Sequence, residues 1–298
     1  MTSPTQVTTG RRPAGRRQRP AQSPQGASSG PPAPRPRPTL AERRQQLAWA
    51  VSDAATLTWR NLLAYTRVPQ LLVFSTIQPI MFVLLFRYVF GGAIPVQGIP
   101  GGYVAFLMPG IFVQTVCFGA VSTGVGLAED LHKGLIERFR SLPMARSAVL
   151  AGRTLADLCR NVFVVLLMTM IGVAVGFRTA QGFFHFVGGV LLVLLFSYAL
   201  SWGFAVIGIN ARNAETAQAM AFPLLFPLTF ASSAFVQVKT MPGWLQAYAR
   251  NQPVTVVVDA CRHLMIGTPG SVPRALAWSV GLLAVFAPLA VRKYRKAS

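Results

Sequence analysis

The side chains most able to act as nucleophiles or metal ligands in this 298-residue chain are few and scattered. Histidines stand at His132, His185 and His263 and cysteines at Cys117, Cys159 and Cys261, with no CxxC or HExxH spacing among them. Three such thiols do not make a disulfide framework. Cys117 and Cys159 fall in or near apolar runs, and Cys261 is expected to face outward at a membrane boundary. Asp259, Arg262 and His263 fall at i, i+3 and i+4, so they share a helix face. A proton relay or metal site is one reading and the polar face of an interfacial helix the other. One Asp and one His cannot close a metal shell, which favours the second reading. No metal ligand and no catalytic residue is assigned. There is no G-x-S-x-G elbow and no G-x-x-x-x-G-K-[ST] phosphate loop, so this chain does not hydrolyse ATP by that route.

The elements that would position such groups are apolar. Hydrophobic residues make up 52% of the chain and charged ones 12%, with a formal charge of +20. A soluble chain carries about 25% charged residues, so a compact cytosolic enzyme is excluded. A plain nucleic-acid binder would set its basic residues on a polar surface, and no nucleic-acid partner is expected. A membrane-spanning helix needs about 20 mainly apolar residues. Six windows qualify, at about 71–90, 104–126, 155–177, 184–209, 217–238 and 275–291. Titratable groups in them are scarce. Arg87 can snorkel from the first, Asp157 and Arg160 can pair at i, i+3 in the third, and Glu215 sits at the inner end of the fifth. That scarcity counts against a partner-independent, ion-coupled carrier. Pro223 and Pro227 should bend the fifth window, and Gly172-x-x-x-Gly176 in the third permits close helix approach.

Residues 1–40 hold seven arginines and no acidic residue in a Pro-, Gly- and Ser-rich setting. The segment reads as a disordered basic tail attracted to anionic lipid headgroups. With the N-terminus inside, 21 of the 28 Lys and Arg fall on the inner side and 5 outside, as the positive-inside rule asks. Residues 41–67 place Leu47, Val51, Ala54, Ala55, Thr58 and Leu62 at spacings of three and four, with Trp49, Trp59 and Tyr65 nearby. They read as an amphipathic helix in the inner interface. Arg67-Val68-Pro69 then turns the chain into the first span.

The sizeable inner loop, 127–153, carries both charge signs. Leu131, Leu135, Ile136 and Phe139 make one helical stripe, ringed by Glu137, Arg138 and Arg140 and broken at Leu142-Pro143. It reads as an interfacial connector or as a docking element for a cytosolic partner. The run from Glu137 to Arg146, ERFRSLPMAR, resembles the inner-loop signature of ABC-2 type transporter permeases, and is most similar to their daunorubicin-resistance subgroup. Phe106 to Thr115 (FLMPGIFVQT) resembles the second span of that subgroup. Met241-Pro242-Gly243-Trp244-Leu245, then Asn251-Gln252-Pro253-Val254 and Asp259, continue the likeness, which covers roughly 45–295.

The resemblance implies an all-α polytopic membrane protein of six transmembrane helices, with residues 41–298 as the ABC-2 transmembrane domain. It implies an amphipathic connecting helix like 41–67, short re-entrant outer helices within 239–274, and both termini cytoplasmic in a multi-pass cell-membrane protein. Glu137, Arg138, Phe139, Arg140, Ser141, Leu142, Pro143 and Arg146 would form the coupling helix that docks on a P-loop ATP-binding subunit. ATP and Mg would bind that partner, and this chain no cofactor. The implied function is the permease subunit of an ATP-driven exporter of a hydrophobic drug, antibiotic or similar metabolite, working with a second permease copy as a homodimer or heterodimer. Alternatives are export of a lipid or polysaccharide precursor, and a secondary carrier acting alone. Phe112, Phe118, Met220, Phe222, Phe226 and Phe230 are candidates for the substrate path; taken singly, each is better explained by facing lipid or a neighbouring helix.

Overall fold

The computed structural model describes residues 69–91, 99, 101–133 and 146–297, together with positions 52, 55, 56, 58 and 59. Among the described residues the chain is helical, with no strand. The helices are α1 (Pro69–Leu84, continuing as a π turn Leu85–Val89), α2 (Gly102–His132), α3 (Arg146–Ala174), α4 (Phe183–Asn210) and α5 (Ala214–Phe230). A 3-10 turn, Val238–Thr240, leads to α6 (Gly243–Asn251), α7 (Pro253–Ile266) and α8 (Val272–Ala297). The basic tail expected at 1–40 lies outside the described residues.

Among the described residues, four helical stretches are long and apolar enough to cross a membrane: Gly102–His132, Leu150–Ala174, Phe183–Asn210 and Val272–Lys296. They coincide with the second, third, fourth and sixth windows. Thr76–Val89 is a shorter apolar helix within the first. Pro69 opens α1, the position where a missing N–H costs nothing.

The fifth window differs from its expectation. Helix α5 begins earlier, capped by Asn213, whose side chain accepts from the Thr216 N–H at 2.7 Å, and stops at Phe230 rather than running to 238. Pro223 and Pro227 each remove a backbone donor from its second half. The chain after Phe230 finds partners elsewhere: the Gln252 side chain donates to Ala231 O at 2.6 Å, and Ser232 Oγ accepts from the Ala234 N–H at 3.1 Å. Helix α3 likewise ends early. Gly176 takes φ +102° and Phe177 N–H closes back onto Gly172 O at 2.8 Å. This is a helix stop of the left-handed glycine type, so Gly176 does not extend a helix seam with Gly172.

Helix α2 is the axis of the bundle, with 89% of its apolar window buried. It packs against α4, α5, α3, α7 and α1. The α2–α4 approach is backbone on backbone: a Cβ at Gly208 would collide with the carbonyl of Gly124. Only glycine permits that separation. At one end of the bundle, Leu127, Leu150, Trp202 and Tyr294 join α2, α3, α4 and α8 in a second apolar cluster. Lys293 Nζ donates to Asn210 Oδ1 there at 2.9 Å. The cations at Lys133, Arg153, Arg212 and the end of α8 therefore gather at one end. At the opposite end, the Ala180 N–H donates to Met265 O at 3.0 Å, tying the α3–α4 connection to α7.

Most of the amphipathic 41–67 segment lies outside the described residues. Its described positions are helical, with Thr56 Oγ1 bonded to Ser52 O at 2.9 Å. Thr58 Oγ1 donates to Gly152 O at 3.2 Å, against the first turns of α3.

Candidate functional site: a cavity with a polar floor

Span-forming helices leave polar side chains few places to go, so those buried in the bundle mark what it is built around. Three groups stand out, on α7, along α3, and around a cavity.

Arg262 is buried and its guanidinium is fully engaged. Nε donates to Phe106 O at 2.9 Å, and Nη2 to Ser233 O at 2.6 Å and Ala234 O at 3.1 Å. Nη1 meets Asp259 Oδ1 at 3.1 Å, and the guanidinium carbon lies 3.6 Å from the Phe106 ring centroid. Ser233 Oγ also donates to Asp259 Oδ1 at 2.8 Å. Arg262 thus binds two carbonyls of the turn that follows α5 and fastens that turn to α2 and α7. This corrects the expectation of an interfacial polar face: Asp259 and Arg262 form an internal anchor, because three backbone acceptors in an apolar setting need a fork of donors. Cys261 is corrected with it, being buried with Sγ 3.7 Å from Gly189 O. The Asn251-Gln252-Pro253-Val254 motif is a helix start, with Gln252 at the N-cap position of α7 and Pro253 in its first turn.

Along α3 and α2 runs a ladder of alternating charge. Arg153 Nη1 pairs with Asp130 Oδ2 at 2.6 Å, and Arg153 Nε lies 3.9 Å from Asp157 Oδ2. Arg160 Nη1 lies 3.7 Å from Asp157 Oδ1, the i, i+3 pairing expected from the sequence. Arg160 also donates to Ser122 Oγ at 2.5 Å and to Gly119 O at 2.7 Å. Next to it Asn161 Nδ2 donates to Ser197 Oγ at 2.7 Å, reaching α4. Beyond the ladder's outer end, Glu129 hydrogen-bonds Lys133 at 2.6 Å and, by that bond and its charge, raises the pKa of the Lys133 ammonium.

The last member of the ladder borders a cavity of about 300 Å³ between α1, α2, α3 and α5. Gln114, Thr115, Ser122, Arg160 and Asn161 give it a polar floor, and Phe82, Phe118 and Phe222 an aromatic wall. Gln78 and Gln218, both exposed, stand at its mouth. Gln114 and Thr115 are buried, and neither Gln114 Nε2 nor Thr115 Oγ1 has a hydrogen-bond partner among the described residues. Buried amides and hydroxyls are ordinarily paired, so these two atoms are exceptions inside the bundle. Among the described residues no group of three His, Cys, Asp or Glu side chains could hold a metal.

Of the substrate-path candidates, Phe118 and Phe222 line this cavity, their rings 6.5 Å apart. Phe226 and Phe230 are stacked at 5.2 Å on the more exposed side of α5, and Met220 is exposed there. Phe112 is packed in the core, edge-on to Phe177 and Phe186. The coupling stretch Glu137 to Ala145 lies outside the described residues, and Arg146 opens α3. The sequence pointed to Gln114 and Thr115 only as the end of the Phe106 to Thr115 likeness, and to Asn161, Gln78 and Gln218 not at all. An amide inside the second apolar window and another inside the third were the available signal.

The ABC-2 type transporter family model matches residues 53–266. The chain is 40% identical over 257 residues to the daunorubicin resistance ABC transporter permease protein DrrB1 of Streptomyces coeruleorubidus, covering 86% of this chain and 90% of that one. It is 26% identical over 251 residues to the probable doxorubicin resistance ABC transporter permease protein DrrC of Mycobacterium tuberculosis, covering 83% and 90%. A putative transport permease, ycf38 of Cyanophora paradoxa, is 24% identical over 72% of this chain and 74% of its own length.

Proposed function

The chain belongs to the ABC-2 type transporter family, and from that membership we propose that it is the membrane subunit of an ATP-driven exporter of a hydrophobic drug or similar metabolite. The observation that carries this reading is the 40% identity to a daunorubicin resistance permease over nearly the whole of both chains. The chain is a permease component, with ATP hydrolysis in separate subunits.

The finer picture is our own reading. Six spans cross the cell membrane, α1 and α5 joining the four long helices, and both termini are cytoplasmic. The gathering of cations at one end of the bundle supports that orientation. Helices α6 and α7 re-enter the membrane from the outer side. The loop after α2 holds the coupling helix, Glu137 to Arg146, seated on a P-loop ATP-binding subunit that carries ATP and Mg. A second permease copy completes the pump as a homodimer. Closure of the ATP-binding subunits would push the coupling helix as a lever on α2 and α3, biasing the cavity between inward- and outward-facing states. Phe118 and Phe222 would then contact cargo directly.

The test is reconstitution. The chain co-expressed with its P-loop partner should drive ATP-dependent accumulation of a hydrophobic drug in inverted vesicles, and the chain alone should hydrolyse no ATP. Accumulation that persists without the partner would overturn the reading in favour of a secondary carrier.

A further inference from the structure

Resting on the orientation proposed above, with α6 and α7 on the outer side, we propose that α6 and the residues flanking it bind an anionic phospholipid of the outer leaflet.

The cations expected outside carry the argument. Segment 239–274 holds Lys239, Arg250, Arg262 and Arg274 against a single acidic residue, Asp259. Cations on the outer side run against the positive-inside preference, so each asks for a reason. Arg262 has one as the internal anchor, and it engages Asp259. The other three are exposed, and among the described residues none of them is in an ion pair. They are also gathered. Arg250 Nη2 donates to Gln246 Oε1 at 2.8 Å, and Gln246 Nε2 donates to Lys239 O at 3.3 Å. Arg274 Nη2 reaches across from α8 to Asn251 Oδ1, beside Arg250 in the chain, at 3.0 Å. Two amide side chains thus draw Lys239, Arg250 and Arg274 into one patch, while the carboxylate of the segment is held by Arg262.

Helix α6 supplies the apolar side of the site. It packs against α7 with Ala249 buried, whereas Trp244 and Tyr248, one turn apart, are exposed, Trp244 at 76%. An indole and a phenol on one exposed helix face suit the boundary between acyl chains and headgroups, where one end is apolar and the other wet.

Together these features fit one class of ligand. A lipid phosphate seated beside Trp244 and Tyr248 accepts from the guanidinium groups of Arg250 and Arg274 and from the Lys239 ammonium. A phosphatidylglycerol headgroup brings a net negative charge to that patch. A phosphatidylcholine headgroup brings its own ammonium as well and gains far less. A lipid so held ties α6 to the outer leaflet, while Arg262 ties α7 to α2 and to the turn after α5.

The test is quenching of Trp244 in the full chain, reconstituted in phosphatidylcholine vesicles. These carry an equal small fraction of either phosphatidylglycerol or phosphatidylcholine brominated near the top of its chains. The Trp244 signal is the difference between the parent and Trp244→Phe. Brominated phosphatidylglycerol should quench it about fivefold more effectively, the effect of about one cation at an anionic lipid surface. Raised salt should shrink that preference. Lys239→Gln, Arg250→Gln and Arg274→Gln combined should abolish it, whereas Arg250→Lys with Arg274→Lys should keep most of it. Equal quenching by the two lipids in the parent, quenching by neither, or a preference that survives the triple variant overturns the proposal. Sidedness is read separately. Ala247→Cys in a Cys159→Ser background, with Cys117 and Cys261 buried, should react with an impermeant maleimide on intact cells. Labelling only after lysis would overturn the outer-leaflet assignment and the orientation with it. The exporter reading stands or falls on drug accumulation with the ATP-binding partner, whichever way these results go.

Discussion

Arg262 grips Phe106 twice, donating to its carbonyl at 2.9 Å while the guanidinium lies 3.6 Å from the ring centroid. The two residues are 156 positions apart. Through them the end of α5, the middle of α7 and the first turns of α2 become one body. The anchor holds the turn that follows α5: the Ser233 and Ala234 carbonyls need donors in a buried setting, and Arg262 supplies them.

Arg262→Ala should therefore cost about 3–5 kcal/mol, the range for removing one partner of a buried charged network. Arg262→Lys should recover little of it, because one ammonium cannot reproduce the fork that reaches Phe106 O, Ser233 O and Ala234 O. Phe106→Leu keeps the backbone acceptor and should lose only the ring contact, about 1–2 kcal/mol. Reversible unfolding in mixed micelles measures all three. A lysine variant as stable as the parent would remove Arg262 from this role.

The ladder on α3 predicts an unequal pair of costs. Asp130 is partly exposed, its side chain 30% accessible, so Asp130→Asn should cost at most about 1 kcal/mol and respond to salt. Asp157 is buried at 1% between two guanidiniums, so Asp157→Asn should cost about 3–5 kcal/mol and be nearly indifferent to salt. Equal costs at the two positions would mean that Asp157 is not the charge holding Arg153 and Arg160 in place.

How much of this was legible in the residues alone differs from element to element. Helices α2, α3, α4 and α8 follow from long, mainly apolar runs, because only length and composition are needed to cross a bilayer. The Asp157–Arg160 pair follows from spacing on one helix. The end of α5 does not. Val238 still looks like the continuation of an apolar run, and the turn after Phe230 is held by a guanidinium some thirty residues further on, which α7 brings back to it. Arg262 looked like an interfacial charge for the same reason: spacing says which residues share a face and not what that face meets. Gln114 and Asn161 were visible as amides within apolar windows, yet nothing in one dimension says that they border the same void.

Close packing of α2 on α4 gives a third prediction. Gly208→Ala places a Cβ against the Gly124 carbonyl, backbone that cannot swing aside. It should cost about 1–3 kcal/mol as overpacking. A Cβ at Gly281, in the interior of α8, would meet no neighbouring atom within 4 Å. Gly281→Ala should be stabilising by up to about 1 kcal/mol, since alanine gives up less backbone entropy than glycine. Comparing the two variants in one background separates a packing effect from a general tolerance of alanine. Two glycines that behave alike would show that the α2–α4 approach is looser than the backbone contact indicates.

The coupling proposal makes the sharpest demand. In the sequence the stretch Glu137 to Arg146 follows α2 and leads into α3, and the ends of those helices carry the pairs Asp130–Arg153 and Glu129–Lys133. Those pairs sit at the base of the loop, so force applied to it reaches both helices that carry the cavity floor. Glu137→Ala and Leu142→Ala remove a charge and an apolar side chain from the proposed docking surface. Each variant should insert, resist detergent extraction and unfold like the parent, yet lower ATP-driven export at least about tenfold, the effect of losing about 1.4 kcal/mol of coupling. Hydrolysis by the partner should continue, no longer stimulated by cargo. Charge reversal, Glu137→Arg, should go further and reduce co-purification of the ATP-binding subunit. Normal export by Glu137→Ala and Leu142→Ala together would place the coupling surface elsewhere on the inner face, and the described ends of α4 and α5, at Asn210 and Ala214, would be the next segment to test.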